Sequence, residues 1–304
     1  MYLDYYKHLL GINNIPYFLN KYIKCPSLVR LKKVGYFCGM DYASKDIYDF
    51  REYISRYDHS LTVALITYRL TKNKKATLAA LFHDVATPCF SHVIDYMNKD
   101  YAKQESTEEY TEKIMLNDKY LRKCLAKDRI NINDIIDFKK YTIVDNNRPK
   151  VCADRIDGVI LTGIGWTKNI TLTDIERIVS SMCILQNEDK ELEISFNNRV
   201  AASRVLEISE SIDIICHSNE DNYMMELLAI ITKRAIDDKL FSYDELYTLN
   251  EDEVYSLISH SSDKELLSLY EKFKNVKLDE IEIVEIPEIK KRDLNPIIQG
   301  KRAK

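Results

Sequence analysis

Leu81-Phe82-His83-Asp84-Val85-Ala86-Thr87-Pro88-Cys89-Phe90-Ser91-His92 decides how the rest of the chain is read. It closes an almost wholly apolar helical run and sets an imidazole and a carboxylate side by side at its end. Ionisable residues are seldom buried without a partner. One partner that suits a neutral imidazole beside a carboxylate is a divalent cation. His83 and Asp84 are therefore read as half of a metal site, and the other half must come from elsewhere in the chain.

Upstream, a helix begins at Ser55, where Leu61, Ala64, Leu65 and Tyr68 follow the 3.6-residue period behind Asp58-His59-Ser60. Residues 72–75 read as a polar turn. Residues 77–83 read as a second helix, central because it is apolar on every side. Further upstream, residues 1–24 have helical periodicity broken near Asn13-Asn14 and Pro16. Pro26-Ser27 opens a short helix that Gly35 stops. Residues 36–53 are irregular and aromatic, suited to a loop that crosses the surface or caps a pocket.

Downstream, Pro88 forces a turn at 85–89, and 90–97 resumes as helix. Helices are predicted over 105–116, 119–126 and 131–138, with a loop at 145–149. The next apolar run, from Val151, is interrupted by Asp154, Arg155 and Asp157. Three of the seven glycines fall at 158–165, so the backbone is expected to approach closely there. Helices follow over 173–185, 199–216, 223–238, 251–259 and 263–273. Residues 190–197 alternate like a strand, with 170–172 as a weak partner. Residues 278–290 read as an edge strand or extended arm, and 293–304 as a basic, frayed tail. The expected organisation is a helical lead-in at 1–25, a main domain at 26–240 and an accessory helical region with a tail at 241–304.

Composition supports a mainly α fold with at most a small β element. Only 7 Gly and 6 Pro punctuate 304 residues, too few for the many tight turns of an all-β chain. The net charge of −4, with no dense basic block, argues against a nucleic-acid partner. The seven cysteines are an odd number without a CxxC pair and read as reduced, cytoplasmic thiols. The first residues lack the pattern of a signal peptide, and no apolar run is long enough for a membrane span.

Six histidines can be weighed one by one. His8, His217 and His260 read as surface or capping residues. His59 alone would read as an ordinary helix-start histidine. Beside His83-Asp84, it makes a second imidazole from an adjacent helix that can converge on the same cation. Asp154 offers a fourth ligand. A salt bridge to Arg155 explains it poorly, because neighbouring side chains on a helix diverge.

The set His59…His83-Asp84…Asp154 resembles the HD-domain metal-dependent phosphohydrolases, and looks most like their deoxynucleotide triphosphohydrolase branch. Three segments carry the likeness: Arg56-Tyr57-Asp58-His59-Ser60-Leu61; His83-Asp84 with Phe90-Ser91-His92 and Asp95; and Ala153-Asp154-Arg155-Ile156-Asp157. Arg30-Leu31 fits the usual lead-in. The resemblance spans most of 26–275. It implies an HD-type helical bundle in which His59, His83, Asp84 and Asp154 hold one divalent ion (Mn²⁺, Fe²⁺, Mg²⁺ or Zn²⁺), with a second ion as a further option. The ion would activate a water against a phosphate ester or anhydride, in a nucleotide or related compound. Arg56 would face a substrate phosphate. His92 and Asp95 fall where that branch keeps residues around the scissile phosphate. Many relatives are homo-oligomers.

The departures narrow what is implied. The branch reads His-Asp-x-Gly-His-Gly-Pro, whereas here Thr87 stands in place of a catalytic histidine. Gln104 replaces a second histidine and is left as a substrate contact. Gly158 stands where a tyrosine often packs on the sugar, and Thr162 replaces an aspartate. Neither Thr nor Gln donates a proton near neutral pH, so Glu105, His92 or Asp95 would have to carry proton transfer. Two other readings stay open: a phosphodiesterase or nucleotide monophosphatase, and a catalytically impaired sensor that binds a nucleotide without turning it over.

Overall fold

The structure is a computed structural model and describes residues 1–102 and 110–303. It is mainly α, with one small sheet. The central element is the helix Arg56–Thr71, buried along nearly its whole length from Arg56 to Thr67. Its start is fixed locally. The Ser55 side chain accepts from the Asp58 N–H, and the Asp58 carboxylate accepts from the Ser55 N–H, a reciprocal cap that satisfies two orphan donors. The helix Lys74–Phe82 follows directly and packs against it. It starts earlier than the sequence predicts, because the Asn73 side chain caps the N–H groups of Lys75 and Ala76 and recruits the polar lysines into the first turn. Residues Ala76 to Phe82 are all buried. Truncating one of them, as in Leu81→Ala, would cost about 2–5 kcal/mol.

The helix Ala153–Gly165 lies against Arg56–Thr71 on one side and against Arg199–Cys216 on another. The helix Asn219–Asp237 gathers the second apolar cluster, joined by Val93–Met97, Glu251–Ser259 and Lys264–Asn275. The first cluster surrounds the three central helices. Phe37 and Val159 of the first cluster and Met40, Tyr48 and Met225 of the second line one cavity, so the cavity lies where the clusters meet. No helix among the described residues is long and apolar enough to cross a membrane.

Several local expectations need correction. The stretch 90–97 does not begin as helix: Phe90 and Ser91 both take left-handed backbone angles (φ 64° and 48°), and regular helix starts at Val93. The predicted helix at 173–185 is the helix Leu172–Ser181, capped by Thr171, followed by strand β1 (Met182–Gln186). β1 pairs antiparallel with β2 (Leu192–Phe196), so the partner of that strand is not 170–172. A short loop at Asn187–Glu191 turns the chain, and the β-branched and apolar residues on either side favour the hairpin over a continued helix.

The basic tail is ordered through Ala303. Its strand β3 (Ile297–Ile298) runs parallel to β2 and turns into β4 (Lys301–Arg302). The reason is a buried acid. Glu193 has no exposed surface, and Arg302 reaches its two oxygens at 2.7 and 2.9 Å. Between Ile281 and Pro296 the chain runs extended without strand pairing among the described residues, which fits the arm and not the edge strand.

Candidate metal centre

Three helices and one turn bring the predicted residues together. His59 sits in the first turn of Arg56–Thr71, His83 is the C-cap of Lys74–Phe82, Asp84 follows it, and Asp154 lies in the first turn of Ala153–Gly165. His59 Nε2 is 3.0 Å and His83 Nε2 3.4 Å from Asp154 Oδ1. Asp84 stands slightly outside, with oxygens 3.7 Å from His59 Nε2 and 3.6 Å from His83 Nε2. His59, His83 and Asp154 have donor atoms close enough to hold a metal ion.

The imidazoles are oriented for it. His83 Nδ1 lies 2.7 Å from the Ala80 carbonyl, which can only accept, so Nδ1 carries the proton. In the neutral imidazole His83 Nε2 is then a buried lone pair facing carboxylate oxygens, which raise its affinity for a proton or another cation, and it makes no hydrogen bond among the described residues. A lone pair aimed at anionic oxygen in a buried site calls for a cation between them. His59 Nδ1 is likewise tied back, 2.7 Å from Asp157 Oδ2. A carboxylate behind a ligating imidazole fixes its tautomer and raises its basicity. Asp157 has no exposed surface, and it also accepts from the Tyr6 hydroxyl at 2.6 Å and from Thr62 at 2.9 Å.

Without an ion, the carboxylates favour a proton on the imidazoles, which a bound metal would displace. Burial pulls the His59 imidazole down, but its bonds to Asp154 and Asp157 outweigh that and lift it to about 10. Burial raises Asp154, yet His59 and His83 hold it well below the ordinary carboxylate range. With the imidazoles neutral, Asp84, Asp154 and Asp157 leave the cluster negative, and a divalent ion with mixed N and O donors fits it.

Arg56 is not directed only at a substrate. Its Nη1 donates to Asp84 Oδ2 at 3.1 Å and its Nε to Ser91 Oγ at 3.1 Å, while the guanidinium lies over the Tyr36 ring. The left-handed turn at Phe90-Ser91 is what delivers the Ser91 hydroxyl. Tyr36 also packs on His59, with ring centroids 5.0 Å apart. Its hydroxyl occupies the space beside Gly158, where a Cβ would come within 2.9 Å of it. The room left by the missing tyrosine at 158 is thus filled by another tyrosine from the 36–53 loop.

His92 is not on a solvated helix face. It lines the cavity and its Nδ1 lies 2.8 Å from Asp95 Oδ2, with Asp95 wholly buried. Burial, then opposed by Asp95, leaves the His92 imidazole below its ordinary value. Asp154 makes no pair with Arg155, which turns instead to Asp145 at 3.0 Å and to Asn146. Thr87 is buried outside the cavity wall, and its carbonyl accepts from Arg30 at 2.5 Å. Thr162 lines the cavity. Gln104 and Glu105 lie outside the described residues. His217 and His260 each bond a carbonyl one helical turn back, which is a capping role.

Sequence reasoning missed three contributors. Asp157 was visible as the acid one turn after Asp154. Tyr36 carried no local signal. The residues Ile289, Lys290, Arg292 and Leu294 of the extended arm line the same cavity, of about 550 Å³, although they lie far from the ligands in sequence.

Residues 56–149 match the family model described as HD domain. The chain carries an HD domain. The match begins at Arg56, takes in His59, His83 and Asp84, and ends just before Asp154. Two curated relatives are similar to the chain. One is the uncharacterized protein YdhJ of Bacillus subtilis, 23% identical over 86% of this chain and 77% of the relative. The other is the metal-dependent phosphohydrolase cns2 of Cordyceps militaris, 24% identical over 42% of this chain. The aligned part spans 36% of that relative's length. HD domains bind divalent metals, and His59, His83 and Asp154 of this one could hold such an ion.

Proposed function

We propose that the protein is a metal-dependent phosphohydrolase acting on a nucleotide or a related phosphate ester or anhydride. The observation that carries this reading is the convergence of the buried His83 Nε2 and His59 Nε2 on Asp154 Oδ1. His59, His83, Asp84 and Asp154 would hold a divalent ion, which when bound supplies Lewis-acid polarisation of a phosphoryl oxygen and a water of lowered pKa. The name of the Cordyceps relative favours the same chemistry.

The chain's own residues then have distinct tasks. Asp157 holds His59 in the tautomer that leaves Nε2 free, and the Ala80 carbonyl does this for His83. Arg56 fixes Asp84 and presents its remaining guanidinium donors to a phosphate in the same cavity. His92, held at Nδ1 by Asp95, accepts or returns a proton at Nε2 and is neutral near pH 7. The far lobe of the cavity is aromatic. Phe37 stacks on Phe50 with centroids 4.5 Å apart, and Trp166 meets both edge-on. Asp221, pushed up to about 6 by burial, accepts from Tyr48 there at 2.6 Å. An aromatic lobe with one carboxyl suits a nucleobase or sugar hydroxyl.

The sensor reading is favoured by one observation: Thr87, in place of a family histidine, is withdrawn from the cavity. Phosphate release across dNTPs, NTPs, monophosphates and cyclic nucleotides with Mn²⁺, with metal content measured on the same sample, separates the readings. Release abolished by Asp84→Ala supports the hydrolase, and the compound consumed distinguishes triphosphohydrolase, phosphodiesterase and monophosphatase. Tight nucleotide binding without product from any compound would establish the sensor. Unchanged turnover in His92→Ala, Asp95→Ala and Glu105→Ala would remove all three from proton transfer.

A further inference from the structure

The arm at 287–296 is pinned along the cavity at several points. The Lys290 N–H donates to the Tyr101 carbonyl at 3.1 Å and the Arg292 N–H to Asp213 Oδ1 at 2.8 Å. Ser209 Oγ donates to the Arg292 carbonyl at 3.0 Å, and Arg148 Nη1 to the Asp293 carbonyl at 3.0 Å. The Asn295 N–H closes the series on the Pro149 carbonyl at 2.8 Å. These contacts hold Lys290 and Arg292 in the cavity wall beside Arg148.

Arg148 and Lys290 both feel the other cations of the wall, whereas Arg292 is held charged by its surroundings, Cys216 first. Arg148 is depressed by burial and then by Arg155 and Arg292, and Lys290 by burial and then by Arg292 and Arg148. The charge of Asp154 reaches both Arg148 and Lys290, so the cluster lies within electrostatic range of the metal ligands. Three like charges lining one cavity raise its positive potential and favour an anion of more than one charge. Guanidinium and ammonium groups together match phosphate oxygens.

We propose that Arg148, Lys290 and Arg292 form an anion subsite for a second phosphate group of the substrate, which makes the 287–296 arm a wall of the active site. The proposal rests on the phosphohydrolase reading and narrows it to substrates that carry at least one phosphate beyond the scissile one. It takes the arm out of the accessory role and makes it a determinant of specificity.

Calorimetric titration of the full chain with inorganic phosphate and with tripolyphosphate, in buffer free of divalent metal so that no metal-activated water can hydrolyse the anhydride, tests the subsite without turnover. The wild type is expected to bind tripolyphosphate at least tenfold more tightly than phosphate. Lys290→Ala with Arg292→Ala is expected to lower tripolyphosphate affinity tenfold or more while phosphate affinity holds. Arg292→Lys should recover most of the loss, and Lys291→Ala, on an exposed neighbour outside the wall, should bind as wild type. If the double variant does not fold, Lys290→Ala alone must weaken tripolyphosphate severalfold. Equal tripolyphosphate affinity in wild type and variants overturns the subsite. Loss of that affinity in a protein that releases phosphate from no compound overturns the hydrolase reading and leaves the subsite standing.

Discussion

Replacing Asp157 with Asn tests the metal centre where the structure makes its sharpest statement. The carboxylate is wholly buried and accepts from His59 Nδ1 at 2.7 Å, Tyr6 Oη at 2.6 Å and Thr62 Oγ1 at 2.9 Å. Asparagine keeps the shape but has one oxygen. If its amide nitrogen faces His59, N–H meets N–H, and the imidazole must move its proton to Nε2, which destroys the ligand lone pair. If it faces Tyr6, the bond to His59 survives but loses its charge, and charge-assisted bonds are roughly twice as strong as neutral ones. Loss of an outer partner of this kind costs about 10–100-fold in metal affinity, or roughly 1.4–2.8 kcal/mol. Global stability should change less. The buried hydrogen bond lost is worth about 1–3 kcal/mol, and removing a buried charge, which burial already disfavours at Asp157, offsets part of it. Mn²⁺ titration and thermal unfolding with and without Mn²⁺ read both quantities. For tenfold weaker binding, the stabilisation at saturating Mn²⁺ should shrink by about 1.4 kcal/mol. Equal Mn²⁺ affinity in Asp157→Asn and wild type, with affinity lost in Asp154→Ala, would refute the claim that Asp157 sets the His59 tautomer.

Three further outcomes are expected. Burial, and then the charge of Asp41, pushes the Glu251 carboxyl up to about 8, with Arg30 and Arg56 also in range. Its folded value lies above an unfolded value of about 4.3, so its stabilising contribution is full below that pH and is lost as pH rises through about 8. Glu251→Gln should therefore gain in Tm over wild type at pH 8.5 and not at pH 4, and parallel Tm–pH curves would remove Glu251 as the cause. Gly158→Ala places a Cβ 2.9 Å from the Tyr36 hydroxyl. The helix gains about 1 kcal/mol of propensity against about 1–3 kcal/mol of overpacking, so Tm should move little while phosphate release falls as Tyr36 shifts under Arg56; unchanged turnover would show that Tyr36 does not position Arg56. Among the described residues, Arg302→Ala leaves the buried Glu193 side chain with the Val151 N–H and the Asn187 amide. Breaking such a pair costs about 3–5 kcal/mol, to be read by urea unfolding, and a loss under 1 kcal/mol would mean the tail is not held by that pair.

The helical scaffold and the metal cluster were legible because their signals are local. The apolar runs before His83 and after Asp154 show a buried helix on each side of the ligands, and ionisable residues inside such runs are conspicuous. Asn73 shifted one helix start by a few residues, since a capping side chain is a weaker signal than periodicity. The Phe90-Ser91 turn looks helical in sequence because its left-handed angles are imposed by surrounding contacts and not by Gly or Asn. The tail is hidden for a different reason. Lys and Arg near an end look solvated, and nothing at 301–302 announces that Glu193 lies buried about a hundred residues earlier. Tyr36, Lys290 and Arg292 reach the site only through tertiary packing, which no spacing rule encodes.

The route of the arm has a consequence for synthesis. The candidate ligands and Asp157 all lie within the first 157 residues, whereas Lys290, Arg292 and the Arg302 anchor leave the ribosome well over a hundred residues later. At about 5–20 residues per second, the candidate ligands leave the ribosome several seconds or more before the arm. During that interval the candidate ligands are made while the proposed wall of the substrate cavity does not yet exist. The order of emergence thus places the ligands before the wall.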